Sequence, residues 1–371
     1  MNLAAADRAK LAKLLGDLAG AIEELLLSGL TTASDSTRQT LEVAFREASR
    51  MRLLRLGSTL RAANEELGRY TGNQAEFSRK RFFFFVSRAW MLSRGLLQAL
   101  SEKDDAAFDR LLWTPASELV EKLEVVTLGV GKKVSSAFVA FEFRLRTLAD
   151  AGKIKAGQRL AWSCIFPVKP GAEIPAEGFL HLPQKQKFNA SVFLDRQVLT
   201  IANAAVGLEE SGYGRVSLGE TSTVVVGAKF EQWDRFLAWD PGATANRVQA
   251  HRAGPLDLEV DLQEEVVLND WQIGEPIQRD NDGPWVYPVA SDRLTFDAIV
   301  SKSVEGKALK AKLDEQRKMK RRPPLYGLMH YEKCRLMLQP LALFPVDGPE
   351  YLTISSESIN RTALLKALKL T

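Results

Sequence analysis

Hydrophobic positions change their spacing near residue 118, which predicts an α-helical first third and a β-rich remainder. Before that point apolar residues recur at helical intervals, for example at Leu11, Leu14, Leu15 and Leu18. Beyond about residue 120 they form short alternating runs rich in Val, Phe and Ile, which are typical of strands. Proline follows the same division, because Pro115 is the first and the other fourteen lie beyond residue 160.

This pattern predicts an α+β protein. The expected parts are an N-terminal helical bundle at 1–118, a mostly antiparallel β-sheet or barrel-like domain at 119–301, a basic helical insertion at 302–322, and a closing β-hairpin with a short C-terminal helix at 323–371. The strands are not regularly separated by helices, so a mostly antiparallel arrangement is favoured over a doubly wound fold. No internal repeat is visible in the sequence.

The spacing also predicts individual elements. Helices are expected at roughly 76–101 and 104–112 in the bundle, and at 302–320 in the insertion. The predicted strands, in chain order, are Leu123–Leu128, Ala137–Leu145, Leu160–Phe166, Val216–Leu218, Thr221–Phe230, Leu256–Leu268, Trp285–Val289, Leu325–Tyr331 and Arg335–Phe344.

Four consecutive phenylalanines lie in the stretch SRKRFFFFVSRAW, which spans residues 78–90. On a helix at 100° per residue, Phe82, Phe83 and Phe85 fall on one broad apolar face, and Phe84 lies among the cations of the opposite face. We interpret the segment as a core helix with a basic outer face. A membrane-surface helix is disfavoured, because neighbouring helices have apolar faces that need a partner. An exposed aromatic ring in a basic field can stack on a base, so Phe84 is the predicted stacking residue.

Charge is unevenly distributed along the chain, although its formal net value is only +4. Residues 38–94 carry a surplus of +7, residues 302–322 carry a surplus of +6, and the remainder sums to −9. Such asymmetry is typical of an anion-binding protein, although solubility alone can produce it. The sequence therefore suggests two basic segments that fold into one positive face.

The segment RKMKRRPP, at 317–324, has the densest charge, and short Lys/Arg-rich runs are a signature of nucleic-acid contacts. The alternative is a solvated helix end, where cations interact favourably with the helix dipole. The predicted anion-binding residues are Arg79, Lys80, Arg81, Arg88 and Arg94 in the bundle, and Arg317, Lys318, Lys320, Arg321 and Arg322 in the insertion.

Catalytic and metal-binding motifs are mostly absent from the sequence. The glycines near residue 130 do not complete a phosphate loop, and three scattered histidines form no zinc signature. Asp257, Glu259 and Asp261 alternate along a predicted strand and are a candidate Mg²⁺ site, with Glu264, Glu265 or Asp270 completing the shell. The alternative is a strand with a solvated acidic face.

Taken together, these patterns favour a non-enzymatic adaptor or complex subunit that binds nucleic acid, or an acidic protein surface, without a cofactor. A protein-only interaction scaffold and a Mg²⁺-dependent phosphoesterase remain the alternatives. Two cysteines suit a reducing compartment, and neither a signal peptide nor an uncharged membrane span is found, so a cytoplasmic location is expected.

Overall fold

The computed structural model describes residues 5–30, 35–73, 77–112, 117–134, 138–168, 175–182, 188–208, 213–250, 263–278, 283–291, 294–332 and 335–354. The chain forms two compact units. The first holds the described residues up to 112, and the second holds those from 117 onward.

The first unit is helical. Its helices bury regularly spaced leucines, alanines and aromatic residues in one core, as the 3.6-residue spacing of the sequence requires. Helix α4 packs against α1, α3 and α5, and α2 packs against α3. The bounds are α1 Ala5–Ser28, α2 Asp35–Arg50, α3 Leu54–Thr71, α4 Arg79–Glu102 and α5 Asp105–Leu112.

The second unit begins with a closed barrel. Its described strands follow the order β1-β2-β3-β5-β4, and each pair is antiparallel except β3 with β5. β1 bends so that its first half pairs with β4 and its second half with β2. The bounds are β1 Ser117–Val134, β2 Phe138–Thr147, β3 Arg159–Pro167, β4 Gln197–Leu208 and β5 Tyr213–Lys229.

A second sheet follows, after a helix α6 at Pro241–Ala250. Its described strands have the order β6-β11-β12-β10-β9-β7, with β13 beside β12 and β8 beside β9. A helix α7 at Val304–Lys318 connects β10 to β11. The strand bounds are β6 Glu264–Leu268, β7 Trp271–Ile273, β8 Ile277–Gln278, β9 Trp285–Ser291, β10 Leu294–Val300, β11 Leu325–Glu332, β12 Arg335–Leu343 and β13 Glu350–Tyr351.

The second sheet repeats the strand order of the first barrel. Only Asn269 and Asp270 separate β6 from β7, and these two strands act as the halves of one bent strand. β6 pairs with β11 and β7 pairs with β9, just as the two halves of β1 pair with β4 and β2. The parallel pair of β10 with β12 corresponds to that of β3 with β5. The second unit therefore contains, in its described part, the same topology twice. We call the second sheet the second barrel, because its two end strands β6 and β7 are consecutive segments of one bent strand.

The two barrels pack directly on each other through a separate apolar core. Val126 and Leu128 of β1 contribute to it from the first barrel, and Tyr326 and Leu341 from the second. Gly129 is required at this contact, because a Cβ atom there would lie 2.6 Å from the ring of Tyr326. The barrels consequently share this apolar contact and belong to one compact unit.

The α+β prediction is confirmed, with helices first and mostly antiparallel sheets after them. α7 connects two strands of the second barrel, whereas the sequence-based division set 302–322 apart as an insertion. The two strands expected at 216–218 and 221–230 form the single strand β5, and β4 and β10 had not been predicted. The predicted C-terminal helix lies outside the described residues.

Candidate nucleic-acid interface

Arg322 of the basic segment stabilises the end of α7. Its Nε donates a hydrogen bond to the carbonyl of Gln316 at 2.8 Å, and its Nη1 donates to the carbonyl of Trp271 at 3.2 Å. The guanidinium also lies over the Trp271 ring, 5.6 Å from its centroid. The Gln316 carbonyl lies in the last turn of α7, where carbonyls lack an i+4 partner, and the Trp271 carbonyl belongs to β7, so Arg322 ties the helix end to that strand. Arg322 is therefore occupied within the fold, whereas the sequence predicted that it contacts an anion.

Arg317 is also occupied. It lies on the last turn of α7 and forms ion pairs with Asp314, at 3.3 Å, and with Glu275. Three other cations of the segment are different, because they are exposed and take part in no ion pair among the described residues. These three residues, which we call the α7 tip, are Lys318, Lys320 and Arg321.

The start of α4 shows the same separation into structural and exposed cations. Arg81 forms an ion pair at 3.0 Å with the carboxylate of Glu66, which is buried. Glu66 also accepts a hydrogen bond from the backbone N–H of Ser78, the residue that caps α4. Arg81 therefore holds the helix start against α3. Arg79 and Lys80 are exposed, and neither forms an ion pair within the described part of the chain.

Two other predicted residues of α4 lie in surroundings that the helical wheel did not anticipate. Arg88 was placed on the outer face, but it is buried. The reason is that three helices pack against α4, so more of its circumference is covered than a single apolar face provides. Arg94 is exposed and donates hydrogen bonds to Glu23, the shorter at 2.6 Å.

The assignment of the four phenylalanines also needs correction. Phe83 was placed on the buried face, but it is 60% exposed. Phe84 is partly buried and contacts the ring of Phe85 edge-on, with the centroids 5.3 Å apart. Phe83 lies at the margin of the apolar arc, where a wheel alone cannot decide whether a neighbouring helix reaches it. The exposed ring beside Arg79 and Lys80 is therefore Phe83.

A buried ionic cluster joins the two barrels. Arg146 of β2 forms an ion pair with Glu265 of β6, and both side chains are almost fully buried. Burial alone would raise the pKa of Glu265, but the guanidiniums of Arg146 and Arg144 outweigh burial and hold it below its usual value. The hydroxyl of Tyr213 accepts a hydrogen bond from the backbone N–H of Glu265 at 2.8 Å. These cations stabilise the contact between the barrels.

The candidate Mg²⁺ site at Asp257, Glu259 and Asp261 lies outside the described residues. Two of its expected supporting ligands are engaged elsewhere, because Glu265 pairs with Arg146 and Glu264 pairs with Arg247 at 2.6 Å. Within the described ranges no group of three or more His, Cys, Asp or Glu residues is placed to hold a metal ion.

A groove of about 400 Å³ is lined by β10 and β12 together with Lys132 of β1 and Leu309 of α7. Its charged groups are paired internally, since Lys132 contacts Glu177 at 2.7 Å and Asp297 contacts Arg335 at 2.7 Å. The thiol of Cys164 is buried in the first barrel, and burial raises its pKa to about 12, so it is not a nucleophile at neutral pH. Neither feature provides an anion site or a catalytic centre.

None of the described helices combines the length and the apolar composition needed to cross a membrane.

Comparison with known proteins gives no relative by sequence. No protein-family model matches the chain, and no curated protein is similar to it. Several solved structures are similar in part. One is reported under "Molecular basis for abrogation of activation of pro-inflammatory cytokines" and has a TM-score of 0.30 at 13% identity. The similarity spans 61% of this chain and 92% of that chain.

Two further structures contain DNA. The Ifi202 HINa domain in complex with a 20 bp dsDNA has a TM-score of 0.28 at 11% identity, over 60% of this chain and 93% of that one. A replication protein A heterotrimer bound to ssDNA has a TM-score of 0.26 at 10% identity, over 61% of this chain and 50% of that one. At these TM-scores the similarities carry no weight for function.

Proposed function

We propose that this protein is a non-enzymatic nucleic-acid-binding protein, in which the α7 tip contacts phosphates. The observation that carries the proposal is the state of Lys318, Lys320 and Arg321. They are exposed and outside any ion pair of the described residues, while Arg317 and Arg322 beside them are bound within the fold. Exposed Lys and Arg side chains of this kind bind phosphates and release counterions.

The strand order of the barrels supports the same proposal. A Greek-key barrel of five strands, β1-β2-β3-β5-β4 with one parallel pair, is the arrangement of the oligonucleotide/oligosaccharide-binding (OB) fold, and the described residues contain it twice. A fold alone does not establish a function, because one fold hosts many activities. The proposal therefore depends on the exposed cations, and the barrels are the scaffold that presents them.

The test is the affinity for nucleic acid as a function of salt. Fluorescence anisotropy with a labelled 30-nucleotide single strand and a 30-base-pair duplex gives the slope of log affinity against log salt. Each phosphate contact contributes about 0.7 to that slope for a single strand and about 0.9 for a duplex. The triple variant K318A/K320A/R321A is expected to lower the single-strand slope by about 2 and to weaken binding at low salt.

A matched control removes the same charge elsewhere in the second unit. Lys122, Lys153 and Lys155 are exposed but paired with Glu124, Glu118 and Asp150 respectively. The variant K122A/K153A/K155A is expected to keep at least half of the affinity. Equal losses in the two triple variants would show that only overall charge matters, and no binding by the unaltered chain at low salt would overturn the proposal.

A protein-only scaffold is a second candidate, and the edge of β5 is the observation that favours it. β5 pairs with β4 along most of its length, whereas its pairing with β3 covers Tyr213–Val216 in the part of the chain that the structure describes. Val225 and Val226 are 60% and 40% exposed beyond that point. An unpaired edge can accept a strand from a partner. Copurification of a protein without nucleic-acid absorbance, lost in the V225K variant, would favour this candidate.

A further inference from the structure

We infer that the outer face of α4 binds single-stranded nucleic acid, with Phe83 stacking on an unpaired base. This inference rests on the proposed function and names the form of nucleic acid. The face consists of residues that fall within about 60° of Phe83 at 100° per residue. The charged and aromatic residues of this face, which we call the α4 stripe, are Arg79, Lys80, Phe83, Trp90 and Arg94. The same face also carries Val86, Ser87, Leu97, Gln98 and Ser101.

The α4 stripe combines three cations with two aromatic rings. Arg79, Lys80 and Arg94 are exposed, Phe83 is 60% exposed, and Trp90 is partly buried. The guanidinium of Arg94 lies over the Trp90 ring, 5.9 Å from its centroid. Surfaces that bind single strands combine these two properties, because cations follow the backbone and rings stack on successive bases. Charge complementarity therefore identifies a polyanion as the occupant of this helix face.

The two ends of the stripe differ in how much of their charge is available. At the Trp90 end, Glu23 accepts hydrogen bonds from the indole N–H at 2.6 Å and from Arg94 at 2.6 Å. That carboxylate fixes the orientation of the ring and compensates the guanidinium. At the other end Arg79 and Lys80 form no ion pair with any described carboxylate. We therefore assign the phosphate contacts to Arg79 and Lys80 and the base contact to Phe83.

An exposed ring on a helix surface distinguishes between single strands and duplexes. The bases of a duplex are stacked on each other and present only their edges, whereas an unpaired base offers its face to Phe83. Stacking of one base on an aromatic side chain contributes about 1–3 kcal/mol, whichever base it is. The stripe is therefore expected to favour single strands without reading their sequence.

The experiment compares F83A with F84L in the full chain. Phe83 is exposed, so its removal should leave thermal unfolding unchanged, while F84L preserves the apolar contact of a partly buried neighbour. Anisotropy is measured with an oligo-dT 30-mer and with a 30-base-pair duplex. F83A is expected to weaken oligo-dT binding by about 5-fold to 150-fold, from the value of one stacked base. Duplex affinity and the salt slope should stay the same, and F84L should change neither ligand's affinity.

Further variants separate this inference from the proposed function. F83W should retain oligo-dT binding, and R79A/K80A should lower the salt slope for a single strand by about 1.4. An F83A variant that binds oligo-dT normally, while K318A/K320A/R321A binds it weakly, would overturn the stacking role alone. An unaltered chain that binds neither oligonucleotide at low salt would overturn both proposals.

Two other results would also reject the inference. Equal losses of duplex and single-strand affinity in F83A would show that the ring does not contact an unpaired base. Binding to vesicles of phosphatidylcholine and phosphatidylserine that F83A abolishes, with oligo-dT binding intact, would assign the stripe to a lipid surface instead.

Discussion

The buried arginines between the barrels and the exposed cations of the α7 tip have the same formal charge and opposite roles. Arg146 is almost fully buried and is compensated by Glu265, so its charge is used to join two sheets. Lys318, Lys320 and Arg321 lie in water without an ion pair among the described residues, so their charge remains available to a ligand. The contrast shows that the role of a cation depends on its partners, which a count along the sequence does not contain.

The largest expected effect comes from removing one partner of the buried ion pair between Arg146 and Glu265. R146A leaves the carboxylate of Glu265 buried without its main partner, which typically costs about 3–5 kcal/mol of unfolding free energy. Urea unfolding followed by circular dichroism measures this loss. The double variant R146M/E265L should recover most of it, because apolar residues of similar volume can replace a buried ion pair. A loss below about 1 kcal/mol in R146A would show that the cluster does not join the barrels.

The free energy of unfolding measured as a function of pH tests the role of the same buried ion pair. The pKa of Glu265 is lower in the folded protein than its usual value of 4.5, because Arg146 and Arg144 favour the carboxylate. The resulting stabilisation is present above pH 4.5 and is lost as pH falls through the lowered folded value. Urea unfolding at pH 7, 5, 4 and 3 should therefore show declining stability below about pH 4.5. In the E265Q variant the free energy of unfolding should decline less steeply as pH falls. If its decline equals that of the unaltered protein, carboxylates other than Glu265 cause the pH dependence.

The smallest expected effect on stability is the difference between substitutions at two neighbouring arginines, Arg322 and Arg321. R322A removes the hydrogen bonds to the carbonyls of Gln316 and Trp271, and should cost about 1–2 kcal/mol. R321A removes an exposed side chain and should change stability by less than about 0.5 kcal/mol. Nucleic-acid affinity should respond in the opposite order, with R321A the weaker binder. If R322A and R321A changed stability equally and also changed nucleic-acid affinity equally, the distinction between Arg322, which is bound within the fold, and Arg321, which is exposed, would be wrong.

Sequence periodicity was sufficient for most of the elements. Apolar residues at helical spacing predicted the helices of the first unit, and short apolar or alternating runs predicted β1, β2, β3, β5, β11 and β12, because those patterns reflect burial on one face. Helix α6 was not predicted. β4 was missed because the segment IANAAVGL is rich in alanine and glycine, which have low strand propensity, and Asn203 interrupts it with a positive φ. The repeated topology was also not visible in the sequence. The first bent strand is continuous in the first barrel, as β1, but is interrupted in the second barrel, where it forms β6 and β7.

The candidate site could be predicted only in outline. The sequence located both basic segments, since clustered Lys and Arg are visible without a fold. It could not separate Lys320 and Arg321 from Arg317 and Arg322, because the latter are held by groups from α7 itself and from the strand and loop at 271–275. Nor could it choose Phe83 over Phe84, because that choice depends on how far the neighbouring helices cover α4.

The glycine at position 129 has a consequence for any attempt to divide the protein. β1 contributes one side of its backbone to the interior of the first barrel, and it lies so close to Tyr326 that a methyl group would not fit between them. A fragment ending before β6 would uncover Val126 and Leu128, which the second barrel normally keeps from water. Such a fragment should aggregate, and amide protons along β1 should be among the last to exchange with deuterium in the intact chain. The two barrels therefore repeat one strand order, but neither can be cut away from the other without exposing their shared apolar surface to water.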